Sequence, residues 1–408
     1  MGMKQDIAIL RELAAQVAEI AALPIQDRTR MMWSNLNSLK QDRPMVMIDQ
    51  VCWNEMDVNN ELTLICQDPE LKKWEWELKR ILYIWKHFAA DFVVEDFMRV
   101  PMAVHGINDF GVYPQEDILG TDTTNSVVSH AYVNQFKTID DLEKIKTPVI
   151  TYDITETNHR MALAQEIFHD ILDVRLEGIE PYLSLWDTIA MWMSVEGVLY
   201  TLADDPDLML ALATRVVECF MSGLDQLEAQ GLLCGPQSWI HCTGAWTRDL
   251  PAVENPTTND IWMYGLAQMF STVSPAMFNE FEIEPCMPLF ERFGLVYYGC
   301  CDPLDLKMKE VRRIPNLRKI SMSPWADKRR GAVEIGNDYV FSFKPNPAFL
   351  ATASFDEDLV RKDLEETKAI CKEYDCPLEI ILKDISTVKY EPQRLKRWAE
   401  IAMEVVNA

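Results

Sequence analysis

Glycine, long apolar runs and basic residues are all scarce in this sequence of 408 residues. It contains 15 glycines, no stretch of 18 consecutive apolar residues, and 39 lysines and arginines against 64 aspartates and glutamates, a formal net charge of −25. The missing apolar stretch disfavours a membrane-spanning helix. The acidic excess disfavours nucleic acid and anionic lipid as partners, because both carry negative charge. The first residues lack the apolar segment of a secretory signal, so we expect a soluble cytoplasmic protein.

Several common catalytic and binding motifs are also missing. The ten cysteines form no CxxC or zinc-finger spacing, and a chain of this length needs no disulfide framework, so we expect reduced thiols. There is no GxSxG elbow, HExxH helix or Walker loop, which counts against the common hydrolases and NTPases. Methionine and tryptophan are abundant instead, with 21 and 12 residues. These soft and flat side chains suit both a core and an apolar pocket.

Repeated strand-then-helix units predict the fold. Eight apolar runs end on polar residues, at 44–50, 91–96, 182–187, 261–265, 295–301, 317–323, 339–344 and 378–384. Eight parallel strands that alternate with helices predict an α/β fold of the (β/α)8 TIM barrel type. A doubly wound sheet is the alternative, but its GxGxxG fingerprint follows none of these strands. The run 238–242 is a ninth, surplus strand.

The remaining segments are assigned to helices and to an insertion. Residues 1–43 are predicted as an N-terminal helical extension, with helices at 4–23 and 27–39, and residues 44–408 as a single barrel. Further helices are predicted at 72–89 and from Pro206 to near Gly231, and others open at Ser274-Pro275 and at Pro303. Residues 97–178, with a strand-like run at 127–133, form a lid-like insertion after strand 2. An insertion at that face of a barrel covers the active site.

The carboxyl ends of the predicted strands supply the candidate site residues, because barrel enzymes carry their chemistry there. A polar residue that ends a strand also often caps the next helix, so the set is stronger evidence than any member. The candidates for substrate binding at or beyond these ends are Trp53, Glu55, Asp96, Trp186, Met191, Tyr264, Gln268 and Trp325.

The stretch Gly299-Cys300-Cys301-Asp302 is the most informative of these ends. Successive residues of a strand point to opposite faces, so we expect only one of the two thiols to face the barrel axis. That thiol is a candidate zinc ligand; the alternative is that both are small buried apolar residues. His241-Cys242 is a second candidate pair. The metal candidates are Cys300, Cys301, His241 and Asp384.

Several segments together resemble the uroporphyrinogen decarboxylase superfamily. They are the strand ends, the run Ser274 to Phe281 that leads to Pro285, the YYGCCD strand, and Glu334 to Asn337. The resemblance covers about residue 25 to the end, and it implies a (β/α)8 barrel with N-terminal helices. The superfamily includes porphyrinogen decarboxylases and corrinoid-linked methyltransferases. In the coenzyme M branch a His-x-Cys motif and a later Cys bind zinc; here Tyr298 stands for the His, Cys300 for the Cys, and Asp384 lies near the later Cys.

Within the superfamily, the residues favour the methyltransferase branch. The decarboxylases carry an arginine-rich motif at the first strand end, whereas this chain has Asp49 and Glu55 there and no arginine. The resemblance thus implies transfer of a methyl group from a small methylated donor, with an aryl methyl ether as the leading case, to the Co(I) corrinoid of a separate carrier protein. A zinc ion would polarise the ether oxygen, and Tyr298, Asp187 or Lys344 would supply a proton or orient the ring.

Three alternatives stay open at this stage. They are a uroporphyrinogen-decarboxylase-type lyase, a methylcobalamin-dependent thiol methyltransferase, and a barrel without catalysis that binds a small molecule. The sequence does not fix the methyl donor or the oligomeric state, and a homo-oligomer is one option. We expect a corrinoid carrier protein and a small methylated substrate as partners, and neither nucleic acid nor membrane.

Overall fold

The computed structural model describes residues 2–120 and 129–408. Its strands are β1 (Met45–Ile48), β2 (Phe97–Pro101), β3 (Val104–His105), β4 (Glu116–Leu119), β5 (Ser129–Tyr132), β6 (Thr151–Tyr152), β7 (Asp173–Glu177), β8 (Trp239–Ile240), β9 (Thr243–Gly244), β10 (Trp262–Gly265), β11 (Leu295–Tyr298), β12 (Leu317–Met322), β13 (Val340–Phe343) and β14 (Leu378–Leu382).

The α-helices of the described residues are α1 (Met3–Ala21), α2 (Pro24–Asn37), α3 (Pro69–His87), α4 (Ile154–Phe168), α5 (Leu185–Met193), α6 (Val195–Asp204), α7 (Pro206–Ala229), α8 (Pro275–Phe278), α9 (Glu284–Phe290), α10 (Met308–Val311), α11 (Lys328–Ile335), α12 (Ala348–Ala351), α13 (Glu357–Glu373) and α14 (Gln393–Asn407). Short 3₁₀ turns lie at Trp53–Glu55, Ile139–Lys144, Thr258–Asp260 and Gln268–Thr272, and a π-helical segment at Asn279–Ile283 joins α8 to α9.

Two groups of parallel strands organise the molecule. Six strands form one sheet in the order β1-β14-β13-β12-β11-β10, with every neighbouring pair parallel. Strands β2 and β7 form a separate parallel pair. The order of the larger sheet is compatible with a TIM barrel. The pairings between described strands do not close a barrel, however, and the lid role of 97–178 stays a prediction.

Most of the predicted elements are present with shifted ends. The helices predicted at 4–23, 27–39, 72–89 and 206–231 correspond to α1, α2, α3 and α7, and six of the predicted strands correspond to the larger sheet. In α7 the side chain of Asp205 accepts a hydrogen bond from the backbone N–H of Leu208, and Pro206 takes the first helical position, where its missing N–H costs nothing.

Two predicted strands are wrong. Residues 91–96 belong to no strand, and β2 begins only at Phe97. Residues 182–187 do not form a strand either: α5 begins at Leu185, since Leu185, Ile189 and Trp192 lie at helical spacing and are all buried. The helix expected to open at Pro303 is the single turn α10, which begins only at Met308.

The predicted insertion and the surplus strand also differ from expectation. Strand β7 lies within 97–178 and was not predicted, although it pairs with β2 along its whole length. Of the strand-like run 127–133, residues 129–132 form β5, which pairs antiparallel with β4, and 127–128 lie outside the described residues. The surplus strand 238–242 is the first arm of a hairpin, β8–β9, rather than a full strand.

Hydrophobic packing divides the molecule in the same way. Helices α1, α3 and α4 pack with β2 and β7 around a separate apolar cluster that includes Leu10, Trp74, Val100 and Phe168. The larger sheet and most of the remaining helices form the main core, whereas α2 packs in a smaller cluster with β1, β13 and β14. The N-terminal helix α1 therefore packs with elements from 69–177 rather than standing apart as an extension. The domain limits 1–43 and 44–408 stay predictions.

Candidate active site

Alternate residues of the six-stranded sheet point to two chemically different faces, as the two-residue period of a strand requires. The outer face, which includes Val46, Ile320 and Phe341, packs into the main core beneath the helices. The inner face carries Tyr264, Tyr297 and a series of buried polar side chains. The inward polar residues of the last three strands are Lys319, Ser321, Ser342 and Glu379.

The hairpin β8–β9 (residues 239–244), here called the plug hairpin, packs against this inner face. The hydroxyl of Thr243 donates to Oε2 of Glu379 at 2.8 Å, and Nζ of Lys319 donates to the carbonyl of Gly244 at 3.1 Å. The two turn residues have positive φ, 32° at His241 and 67° at Cys242. Two such residues in a row make the tightest hairpin turn. His241 stacks on Tyr264, with ring centroids 3.7 Å apart, whereas Cys242 faces the opposite side, beside Met47.

Five side chains meet where β11 and β14 end, and we call them the thiol cluster: Cys300, Cys301, His241, Lys383 and Asp384. Sγ of Cys300 lies 3.2 Å from Nζ of Lys383, 3.5 Å from Sγ of Cys301 and 3.7 Å from Nε2 of His241. Asp384 accepts from Lys383 at 2.8 Å and from the Cys301 thiol at 3.5 Å. Cys300 and Lys383 are buried, while Cys301 and Asp384 are open to solvent.

Backbone geometry brings both thiols to the same place. A continuous strand would send Cys300 and Cys301 to opposite faces, but β11 ends at Tyr298 and Gly299 has φ of +95°. A Cβ at Gly299 would lie 2.5 Å from Cδ1 of Leu304, so no larger residue fits without movement. The expectation that only one thiol can face the site is therefore wrong. Asp384 also has positive φ, 56°, and backbone conformations of this kind concentrate at functional sites.

The contacts within the thiol cluster shift the pKa values of Cys300, Cys301 and Lys383. The thiol of Cys301 lies within hydrogen-bond distance of Cys300, and His241 and Lys383 lie beside the same sulfur; these contacts together lower the pKa of Cys300 despite its burial. The pKa of Cys301 is raised by the same contact. Burial alone would lower the pKa of Lys383, but the charges of Cys300 and Asp384 outweigh it and raise the pKa. The geometry thus supports a Cys300 thiolate paired with a Lys383 ammonium group.

The four metal candidates do not fit a zinc ion in this arrangement. The separations from Cys300 to Cys301 and to His241 suit two ligands of one metal, whose bonds are about 2.0–2.3 Å long. Within residues 2–120 and 129–408, however, no three His, Cys, Asp or Glu side chains are grouped to hold a metal. The ammonium of Lys383 also lies against Cys300, where a cation would be repelled. Zinc stays a prediction, and no chemical step is derived through it.

Lys344 lies at the end of β13, on the inner face. Its ammonium group donates to the hydroxyls of Tyr297 and Ser342, the latter at 2.8 Å. Among the described residues no carboxylate lies within ion-pair distance of it, in contrast to Lys319, which pairs with Glu379 at 2.8 Å in full burial. Burial lowers the pKa of Lys344 to about 8. It can therefore lose or hold a proton near neutral pH, as the catalytic prediction requires.

The other two predicted catalytic residues, Tyr298 and Asp187, make no contact with the thiol cluster. Tyr298 points to the outer face, packs between Phe278 and Phe290, and donates to Oε1 of Glu282 at 2.9 Å. It faces the helices because β11 places only its neighbour Tyr297 inward. Asp187 lies on α5, where it accepts from Gln268 at 3.2 Å and from the hydroxyl of Tyr182 at 3.2 Å.

The predicted substrate-binding residues are dispersed. Tyr264 is in the site, since it stacks on His241 and its hydroxyl donates to the carbonyl of Gly299 at 3.2 Å. Glu55 is structural: its two oxygens accept from Thr387, Val388 and Tyr390 and hold the loop after β14.

Three aromatic candidates and one methionine take different positions. Trp186 is fully buried against Phe270, so it cannot clamp a ring in this conformation. Trp53 packs in an aromatic group with Trp76 and Tyr83. Met191 on α5 and Trp325, in the loop after β12, are exposed, and Trp325 has 70% of its surface open to solvent.

A cleft of about 1590 Å³ opens where the sheet does not close. Its walls come from the end of β1, the segment 92–99, residues 175–180, and both sides of the plug hairpin. Asp96 faces this cleft. The cleft also contains Arg99, which pairs with Glu95 and Glu177, and Glu180, whose pKa burial raises to about 7.

Sequence reasoning missed the residues that organise the inner face. Tyr297, Lys319 and Glu379 were not predicted as site residues, and Lys383 was placed at a strand end without a role. The available signal was a charged residue inside an apolar run, such as Glu379 between Leu378 and Ile380, because a buried charge needs a partner or a function.

Comparison with solved structures finds several similar chains, of which one is described here. It is titled "methyltransferase from Methanosarcina mazei", is 12% identical in sequence, aligns over 92% of this chain and 97% of its own chain, and has a TM-score of 0.49. No family model and no curated protein matches the sequence. A likeness at this level carries no argument about fold or activity. Among the described helices, none combines the length and apolar character of a membrane span.

Proposed function

We propose that this protein is a methyltransferase that takes the methyl group of a small methylated donor, with an aryl methyl ether as the leading case, and delivers it to the Co(I) corrinoid of a separate carrier protein. The observation that carries the proposal is the ammonium group of Lys383, held beside Cys300 and Asp384 at the carboxyl ends of a parallel sheet. Active sites of parallel α/β barrels lie at these ends.

Cleavage of an aryl methyl ether needs a partner for the leaving oxygen. A Co(I) corrinoid is a strong nucleophile toward the methyl carbon, so negative charge develops on the phenolate as the carbon–oxygen bond breaks. An ammonium group that hydrogen-bonds this oxygen stabilises the charge. Lys383 has this role in the proposal, because its two anionic neighbours keep it charged.

Flat and polar surfaces around Lys383 suit a small aromatic donor. The stacked rings of His241 and Tyr264 form an apolar wall on the inner face. Deeper on the same face, Lys344 and the hydroxyls of Tyr297 and Ser342 offer polar contacts to a ring substituent. The donor would therefore lie against the rings with its methyl group toward the exposed end of the cluster.

A large acceptor needs an accessible face, and the loops that follow the sheet provide one. Cys301 and Asp384 are exposed at the cluster itself. Three apolar side chains, Leu306, Trp325 and Tyr390, lie exposed in the loops after β11, β12 and β14. Exposed apolar side chains that share one face often mark a docking surface, so we assign the carrier protein to this face.

The test uses purified protein with free cob(I)alamin, kept reduced by titanium(III), and a panel of methoxyarenes and methylamines. The expected result is conversion of the Co(I) absorption spectrum to that of methylcobalamin, together with a demethylated product, for at least one methoxyarene. Lys383→Met should slow the conversion by about 10²–10³-fold, and Lys389→Met, a change of an exposed lysine in the following loop, should leave it unchanged. No conversion with any donor of the panel, with free cob(I)alamin or with a corrinoid carrier protein, would refute the proposal.

A further inference from the structure

Cys300 and Cys301 are neighbours in both sequence and space. Their sulfur atoms lie 3.5 Å apart, in a bend that follows β11 rather than within the strand. Of the ten cysteines, all within the described residues, Cys301 alone is classed as exposed. A small oxidant can therefore reach this pair, whereas burial shields most of the other thiols.

We propose that Cys300 and Cys301 are an oxidisable vicinal dithiol, which a peroxide converts reversibly to an intramolecular disulfide. This inference concerns modification of the site and goes beyond the proposed methyl transfer. It rests on the distance between the sulfurs, the exposure of Cys301 and the bend that holds both residues outside the sheet ladder.

The chemistry has two balanced steps. One thiol attacks the peroxide oxygen, which gives a sulfenic acid and releases water when the oxidant is hydrogen peroxide. The second thiol then attacks the sulfenic sulfur, forms the sulfur–sulfur bond and releases a second water. One peroxide is reduced for two thiols oxidised. A thiol reductant restores both cysteines by exchange.

Formation of the disulfide would change the site in a defined way. The sulfurs must close from 3.5 Å to a bond of about 2.0 Å. Cys300 would then lose its negative charge, and Lys383 would keep only Asp384 as an anionic neighbour. Cys301 would no longer donate to Asp384. Oxidation would therefore change the surroundings of Lys383, on which the proposed reaction depends, while its ion pair with Asp384 remains.

The experiment treats anaerobic protein with one equivalent of hydrogen peroxide and measures the intact mass under non-reducing conditions. We expect a loss of two hydrogen atoms, mapped to the peptide that contains both residues, and recovery with dithiothreitol. Cys301→Ser should not show this loss and should instead give a Cys300 sulfenic acid that dimedone traps. Cys371→Ser, a change in a buried pair with Cys376, is the matched control and should behave as the unaltered protein.

Two results would overturn the inference. One is a loss of two hydrogens that persists in Cys301→Ser. The other is oxidation of Cys300 to sulfinic acid while Cys301 keeps its free thiol. Circular dichroism checks that Cys301→Ser folds. Phenylarsine oxide gives an independent test, because an arsenical bridges two adjacent thiols. The unaltered protein should bind one more equivalent of it than Cys301→Ser. These readouts need no methyl transfer, so failure of the proposed function leaves them interpretable.

Discussion

Nζ of Lys383 lies 3.2 Å from Sγ of Cys300, although the two residues are 83 positions apart in the chain. Lys383 follows β14 and Cys300 follows β11, and β12 and β13 lie between these strands in the sheet. The contact therefore spans the inner face across two intervening strands. It joins a thiolate and an ammonium group that are both nearly shielded from water, which strengthens their attraction.

Lys383→Met should raise the pKa of Cys300, because the thiolate loses an adjacent positive charge. The rate of iodoacetamide alkylation at Cys300, followed against pH, measures this change, and its midpoint should move upward. Methyl-transfer activity should fall by about 10²–10³-fold if Lys383 stabilises the leaving oxygen. Lys383→Arg keeps the charge and should retain the low pKa. An unchanged alkylation profile in Lys383→Met would contradict the pairing.

Methyl-transfer activity should decrease above about pH 8 if the Lys344 ammonium contributes to it. Burial lowers the pKa of Lys344 to about 8, so the charged form is present below that pH and lost as the pH rises through it. Lys344→Gln should have lower activity and should lack this alkaline limb. The measurement is the initial rate between pH 6 and 9.5 for both proteins. An alkaline limb that persists in Lys344→Gln would assign the titration to another group.

Breaking the buried ion pair between Lys319 and Glu379 should destabilise the fold. Neither side chain is exposed, so Lys319→Met leaves an unpaired buried carboxylate. The expected loss is about 3–5 kcal/mol in the free energy of unfolding, measured with urea. The double variant Lys319→Met with Glu379→Leu removes both charges and should recover much of the loss. A double variant as unstable as the single one would show that packing, rather than charge, dominates.

The pH dependence of stability should include a contribution from Glu282. Burial raises the pKa of this carboxyl group to about 8, whereas in the unfolded chain it titrates near 4.5. The folded state therefore binds the extra proton between these values, and the free energy of unfolding contributed by Glu282 falls as the pH rises from about 4.5 to 8. Glu282→Gln should remove this fall, which amounts to a few kcal/mol. Urea unfolding at several pH values compares the two proteins.

Gly299→Ala should disturb the thiol cluster more than the rest of the fold. The added Cβ would meet Leu304 at 2.5 Å and would require an alanine at φ of +95°, so a loss of about 1–3 kcal/mol in stability is expected. Peroxide should then give less intramolecular disulfide, because Cys300 is displaced. Gly336→Ala is the matched control, since its added Cβ meets no atom within 4 Å while its φ is also positive.

The sequence predicts the strands of the larger sheet because each is a short apolar run that ends on polar residues. It fails at Tyr182 to Asp187, where an apolar run is equally compatible with a helix, and length alone does not separate the two. It fails at β7, because Asp173, Arg175 and Glu177 alternate with apolar residues and give the run a surface character. Half-exposed strands of this kind carry a weaker signal than buried ones.

The candidate site was predicted in part. Cys300, Cys301, His241, Asp384, Tyr264 and Lys344 all lie on or beside the inner face, as strand-end reasoning suggests. Lys383 was placed at a strand end but was given no role, because its partner Cys300 lies 83 residues earlier and no local pattern contains that information. Tyr298 was preferred to Tyr297, since the facing of two adjacent tyrosines depends on strand register, which a single sequence does not fix.

Helix α2 packs against the plug hairpin and so helps to position His241, although α2 does not contact the thiol cluster. Nδ2 of Asn37 donates to the carbonyl of Gly244 at 2.9 Å, and Trp33 packs so closely on Gly244 that a Cβ there would lie 2.7 Å from its ring. The far end of the same hairpin carries His241. A substitution at Asn37 should therefore displace the hairpin and lower the activity of a site that α2 does not contact.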